Sequence, residues 1–174
     1  MRVALVLTII GRDRPGLVES LASMVTRHDG NWLESRMNRL GGEFAGLLRC
    51  DLPPDREDAF RQALAQLDAL TAVVRRDQPA PAPTAPLATL DLVGHDRPGI
   101  VRQLAAILAA QGVNVEELAT ECVSAPMSGE PLFKARARLA LPPGLNLASL
   151  RTDLERVAAD LLVEIAISPV TPPA

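Results

Sequence analysis

The chain has 174 residues, a length that suits two small domains better than one of average size. Hydrophobic residues make up 48% and charged residues 22%, which argues against a disordered polymer; with a net charge of −3 and cations scattered and outnumbered, direct DNA or RNA binding is not expected. Three Phe, one Trp and no Tyr leave an aliphatic core with few platforms on which a base or sugar would stack. Cys50 and Cys122 are far apart, with no CxxC and no histidine cluster. They read as reduced, partly buried thiols rather than a disulfide framework or zinc site. No run approaches the roughly 20 apolar residues that cross a bilayer, so a cytoplasmic protein without membrane contact is expected.

In chain order, the apolar run at residues 3–10 reads as a buried strand. It reads better as that strand than as a leader peptide, because it enters a charged turn, Gly11-Arg12-Asp13-Arg14-Pro15-Gly16, with no small-residue cleavage site. Leu17, Val18, Leu21, Met24 and Val25 then recur at helical spacing. Residues 33–40 resume an extended pattern, and Gly41-Gly42 makes a hairpin turn. Phe44, Gly46, Leu48, Cys50 and Leu52 mark one face of the returning strand, which Pro53-Pro54 ends. Phe60, Ala63, Leu64 and Leu67 stripe a second helix, and residues 71–74 form a last strand. His28 falls at a helix C-terminus, and Trp32 is expected to pack at an interface.

Residues 78–86 read Gln-Pro-Ala-Pro-Ala-Pro-Thr-Ala-Pro, which neither feeds a ladder nor continues a helix and forms an extended linker. Beyond it the series recurs. Residues 90–93 are a strand, and Ile100, Val101, Leu104, Ile107 and Leu108 stripe a helix. Residues 113–123 are a strand whose apolar phase slips between Val115 and Leu118, as at a bulge. Phe133, Ala135, Ala137, Leu139 and Leu141 alternate with Lys134, Arg136 and Arg138, putting the apolar set inward. Leu147, Leu150, Leu154 and Val157 stripe the last helix, and residues 163–167 are the final strand.

The two halves align without a gap at an offset of 83 residues, GRDRPGLVESLASMVTRHDGN against GHDRPGIVRQLAAILAAQGVN. The chain is a tandem duplication, with domains expected at 1–77 and 87–168 and a tail at 169–174. Each half is β-α-β-β-α-β: an α+β, ferredoxin-like four-stranded antiparallel sheet with both helices on one face. The other face then needs a cover, from the sister domain or from a second chain in a homodimer.

The two strand–turn–helix junctions carry the candidate site. In the first these are Gly11, Asp13, Arg14, Pro15, Gly16, Leu17 and Val18; in the second, Gly94, His95, Asp96, Pro98, Gly99, Ile100 and Val101. Glycine lets backbone approach a ligand or take positive φ, and Asp13 or Asp96 is placed to cap the helix that follows. Exposed N–H groups at the positive end of a helix suit a carboxylate, and a nearby Asp suits an ammonium. That pairing fits a free amino acid. Asn31 and Asn114, after the first helix of each half, either reach the loop or end the helix in a left-handed conformation. The bland alternative is that Asp-Arg-Pro-Gly is only a capped helix entry.

The pattern GxDRPGxV, followed by an amphipathic helix and an Asn-containing strand, resembles the ACT domain, and it occurs twice. Two such copies with nothing else attached resemble the glycine cleavage system transcriptional repressor family. That resemblance implies a sensor of glycine that restrains a DNA-binding activator by protein contact, with no cofactor, metal or direct nucleic-acid binding. One departure is that family members often have a degraded second loop, whereas GHDRPG is intact here. The rivals are a sensor of another amino acid acting on a biosynthetic enzyme in trans, and a ligand-free dimerisation module. An enzyme is not expected: the chain has no nucleophile elbow, phosphate loop or metal cluster.

Overall fold

A computed structural model describes residues 1–68, 70–78, 85–125 and 129–170. The chain divides into two compact units, Met1–Ala80 and Pro81–Ala174. The expected linker falls almost wholly on residues 79–84, and most of the tail on residues 171–174, outside the described residues.

The first unit runs β1 (Val3–Arg12), α1 (Leu17–Arg27), β2 (Asn31–Leu40), β3 (Glu43–Leu52), a 3-10 turn (Pro54–Arg56), α2 (Glu57–Ala65) and β4 (Thr71–Arg76). Its sheet order is β2-β3-β1-β4, antiparallel throughout. Period-2 alternation puts Leu5, Leu7 and Ile9 of β1 beside Leu48, Cys50 and Leu52 of β3 on the covered face. Leu17, Leu21 and Val25 of α1 and Phe60 and Leu64 of α2 close over them. Gly41 and Gly42 both take positive φ, 60° and 85°, as a two-residue hairpin matched to strand twist requires. Trp32 is half-buried, packed against this core.

The second unit repeats the plan with β5 (Leu87–His95), α3 (Ile100–Ala110), β6 (Asn114–Ser124), β7 (Pro131–Ala140), α4 (Leu147–Leu161) and β8 (Val163–Pro169). The order β6-β7-β5-β8 is that of the first sheet. The α+β, ferredoxin-like fold expected from the sequence is therefore present twice. The slip predicted near Val115 is a bulge between Val115 and Glu117, and the first unit has its counterpart between Trp32 and Glu34, where the sequence pattern gave no sign of it. Strands run longer than the periodicity implied. The ends of β4 and β8 are held by hydrogen bonds to β1 and β5 although Arg75, Arg76, Ser168 and Pro169 carry no apolar signal.

Helix ends depart from expectation. Asp29 takes the left-handed conformation after α1 (φ 56°), and Gly112 does so after α3 (φ 66°). Asn31 and Asn114 do not terminate the helices; each is the first residue of a strand.

The uncovered faces differ between the units. On the first sheet Val6, Thr8, Ile10, Ala45, Leu47 and Val73 lie in adjoining rows, and Ile10, Leu47 and Val73 are 48%, 49% and 54% exposed. On the second, Asp91, Lys134 and Arg136 stand where the first has Thr8, Ala45 and Leu47, with an Arg136–Asp91 ion pair at 2.7 Å, while Val93 stands where the first has Ile10.

Candidate functional site

Each first strand delivers its loop to the N-terminus of the first helix, and the backbone there is the same in both units. Gly16 and Gly99 are the N-cap residues, at φ 91° and 98°. This left-handed geometry is what glycine is needed for. Gly11 and Gly94 are not at positive φ. At Gly94 a Cβ would meet Val163 at 2.4 Å, so that glycine is required by strand packing. Ser20 N–H donates to Gly16 O (2.9 Å) and Gln103 N–H to Gly99 O (3.0 Å), opening the helical ladders.

A glycine N-cap has no side chain with which to accept from the first turn, and no capping hydrogen bond is present at α1 or α3. By contrast, Asn146 caps α4, its Oδ1 accepting from Ala148 N–H at 2.9 Å. The expectation that Asp13 and Asp96 cap the helices is thus corrected. They lie three residues before Gly16 and Gly99, where the loop turns them toward the neighbouring hairpin. Asp13 N–H donates to Gly42 O (3.0 Å), and Asp96 N–H to Pro131 O (3.1 Å). Pro15 and Pro98 likewise precede the N-cap rather than occupying the first turn. Leu17 and Ile100, the first helical residues, are buried core, whereas Val18 and Val101 are exposed. The motif therefore leaves the first turns of α1 and α3 without a side-chain cap, as the first turn of α2 also is.

Around this shared backbone the side chains diverge. In the first unit the Asp13 carboxylate is ion-paired with the guanidinium of Arg39 on β2. Arg39 lies opposite Phe44, as Cys122 lies opposite Phe133 in the second unit. The second unit thus offers Asp96 a thiol where the first offers Asp13 a cation. Desolvation first, then the Asp96 charge and its hydrogen bond, hold the Cys122 thiol above its ordinary value. Cys122 is exposed, contrary to the partly buried setting expected of it. Cys50 is fully buried, and burial pushes its thiol up to about 11. His95 is exposed and faces Glu130 at 3.6 Å, while Arg14 is exposed on the first loop.

Ile10, Gly11, Arg12, Asp13 and Arg14 form one wall of an open groove of about 460 Å³. The other wall is Asp68, Leu70 and Thr71, which the sequence reading did not single out. They arrive through the pairing of Thr71 with Ile10 across β4 and β1, a contact no local motif announces. Asn31 is not brought to this loop within its own unit. It pairs with Asp51, level with Ala4 at the start of β1, roughly 25 Å along the sheet from Gly11. Asn114 is likewise level with Leu87, at the far end of β5 from Gly94. His28 closes α1, its Nδ1 2.9 Å from Met24 O and its ring edge-on to Phe60. Among the described residues no three His, Cys, Asp or Glu side chains are grouped to hold a metal ion, and no helix is long and apolar enough to cross a membrane.

Comparison with known proteins bears on the whole chain. Residues 4–73 match the ACT domain family model. The chain is 24% identical over 169 residues to the glycine cleavage system transcriptional repressor of Escherichia coli, covering 94% of this chain and 88% of that protein. A crystal structure of an unknown protein from Galdieria sulphuraria superposes with a TM-score of 0.85 at 30% identity, over 98% of this chain and 100% of that one. A crystal structure provisionally named as a glycine cleavage system transcriptional repressor gives 0.71 at 22% identity, over 98% and 99%. Residues 4–73 thus match the ACT domain, the second unit repeats the same fold, and the chain as a whole is similar to the glycine cleavage system transcriptional repressors.

Proposed function

We propose that the chain is a non-catalytic regulator that senses a free amino acid, glycine first among them, at residues 11–18 and 94–101. It controls glycine cleavage gene expression by contacting a DNA-binding activator, as a cytoplasmic homodimer, without touching nucleic acid itself. The observation that carries this reading is the uncapped, glycine-initiated N-terminus of α1 beside a groove lined by both signs of charge. Unclaimed N–H groups and Arg14 suit a carboxylate, and a carboxylate on the same groove suits an ammonium. The named relative supports transcriptional control of the glycine cleavage system as the process.

A thermal-shift screen of the full chain against the twenty standard amino acids tests the reading, with calorimetry on each hit. A ligand at about 100 times its Kd adds roughly 2.7 kcal/mol, enough to raise Tm by several degrees. A selective shift with glycine is expected. A shift with a different amino acid keeps the sensor and changes the pathway, and no shift with any of them removes the sensing role. Gly16→Val is a poor probe of the loop, because a β-branched residue at φ 91° strains the fold itself.

A further inference from the structure

We infer that in the first unit the ammonium of the ligand is received by Asp68, not by the Asp13 of the repeated motif. This rests on the amino-acid-sensing reading and assigns a specificity-determining residue to it. Asp13 has its N–H engaged by Gly42 O and its carboxylate engaged by Arg39. A cation approaching Asp13 must displace or share a guanidinium of its own charge. Asp68 lines the same groove, is exposed, and has no ion-pair or hydrogen-bond partner among the described residues. Arg12 and Arg14 line it too and supply cations for the carboxylate. The groove therefore carries an unengaged anion and cations in one lining, the complement of a zwitterion.

The second unit differs at the motif aspartate itself. Asp96 lies beside the Cys122 thiol and, among the described residues, forms no ion pair with an arginine. There the motif aspartate is open to an ammonium, whereas Asp13 is not.

The test is calorimetric titration of the full chain and its variants with glycine, the other nineteen standard amino acids being run alongside. Acetate, which keeps the carboxylate and lacks the ammonium, serves as the reference ligand. Asp68→Asn is expected to weaken the amino acid about tenfold or more at the first-unit site while leaving acetate unchanged. Asp55→Asn, which removes the same charge elsewhere on the exposed surface of the unit, controls for net charge. An unchanged melting temperature shows that Asp68→Asn is folded. Wild-type affinity in Asp68→Asn, or a tenfold loss confined to Asp13→Asn, overturns the assignment and leaves the sensor standing. Absence of binding by the wild-type chain to every amino acid overturns the sensor, and this assignment with it.

Discussion

The first unit holds its Asp-Arg-Pro-Gly loop among arginines; the second holds the same loop beside a thiol. Backbone geometry is common to both: a left-handed glycine at the N-cap, a helix with no capping side chain, and an aspartate N–H tied to the adjacent hairpin. The charges around it are not. Position for position, Arg39 becomes Cys122, and Thr8, Ala45 and Leu47 on the open face become Asp91, Lys134 and Arg136. Duplication copies a backbone solution that only glycine and strand pairing can satisfy, whereas surface side chains that set local charge are under no such steric constraint. A repeated motif therefore identifies a shared scaffold, and each copy's chemistry has to be read from what the fold places beside it.

The largest expected effect sharpens the contrast between the cores. Phe60 is fully buried in the first unit, and its counterpart in the second is the smaller Leu150. Phe60→Ala is expected to destabilise the first unit by about 3–5 kcal/mol and Leu150→Ala the second by about 2–5 kcal/mol. Calorimetric melting of each variant checks this, and a Phe60→Ala change that lowered the second unit's transition as far as the first's would break the picture of separate cores.

A smaller effect follows from an ion cluster that the second unit lacks. Glu57, only 5% exposed, accepts from Arg76 (2.8 Å) and Arg61 (2.9 Å). Leu147 fills the same helical position in α4, while Arg61 and Arg151 each donate to a strand carbonyl, of Val74 and Ile167. Hydrogen bonds from Arg76 first, then Arg61, hold the Glu57 carboxyl below its ordinary value of 4.5. The unfolded chain then takes up the proton more readily than the folded one. The stabilisation is complete above that value and is lost as pH falls below it. Glu57→Gln is expected to cost the first unit about 1–3 kcal/mol at neutral pH and to flatten its acid dependence below pH 4.5. Denaturant melts at pH 7 and pH 3.5 check the pair; equal losses for Glu57→Gln and wild type on acidification would assign the acid sensitivity elsewhere.

The smallest effect concerns the loop itself. The Asp13–Arg39 pair is largely exposed, so Arg39→Ala is expected to change stability by less than about 1 kcal/mol. Its larger consequence is chemical: freeing Asp13 makes the first loop resemble the second. Titration of Arg39→Ala with glycine reads this as a gain in affinity at the first loop, and an unchanged isotherm would mean that the guanidinium does not compete for Asp13.

By itself the sequence determined the duplication, the element order and the inward faces. Alternation in residues 133–141 and helical spacing in α1, α3 and α4 reflect burial against an aliphatic core, a constraint felt at every position of an element. Gly41-Gly42 was readable for the same reason, since only positive φ closes that hairpin. Tertiary structure alone decided which groups meet at the loop. Asp13 looked like a cap from its spacing, yet Gly16 occupies the cap and Arg39 reaches Asp13 through the β2–β3 hairpin. Asn31 is close to the first loop in sequence and far from it on the sheet, and Asp68 is the reverse. Local pattern records what each residue must bury. Which charges face one another across a groove depends on strand order and register, and these are set by pairings between segments distant in the chain.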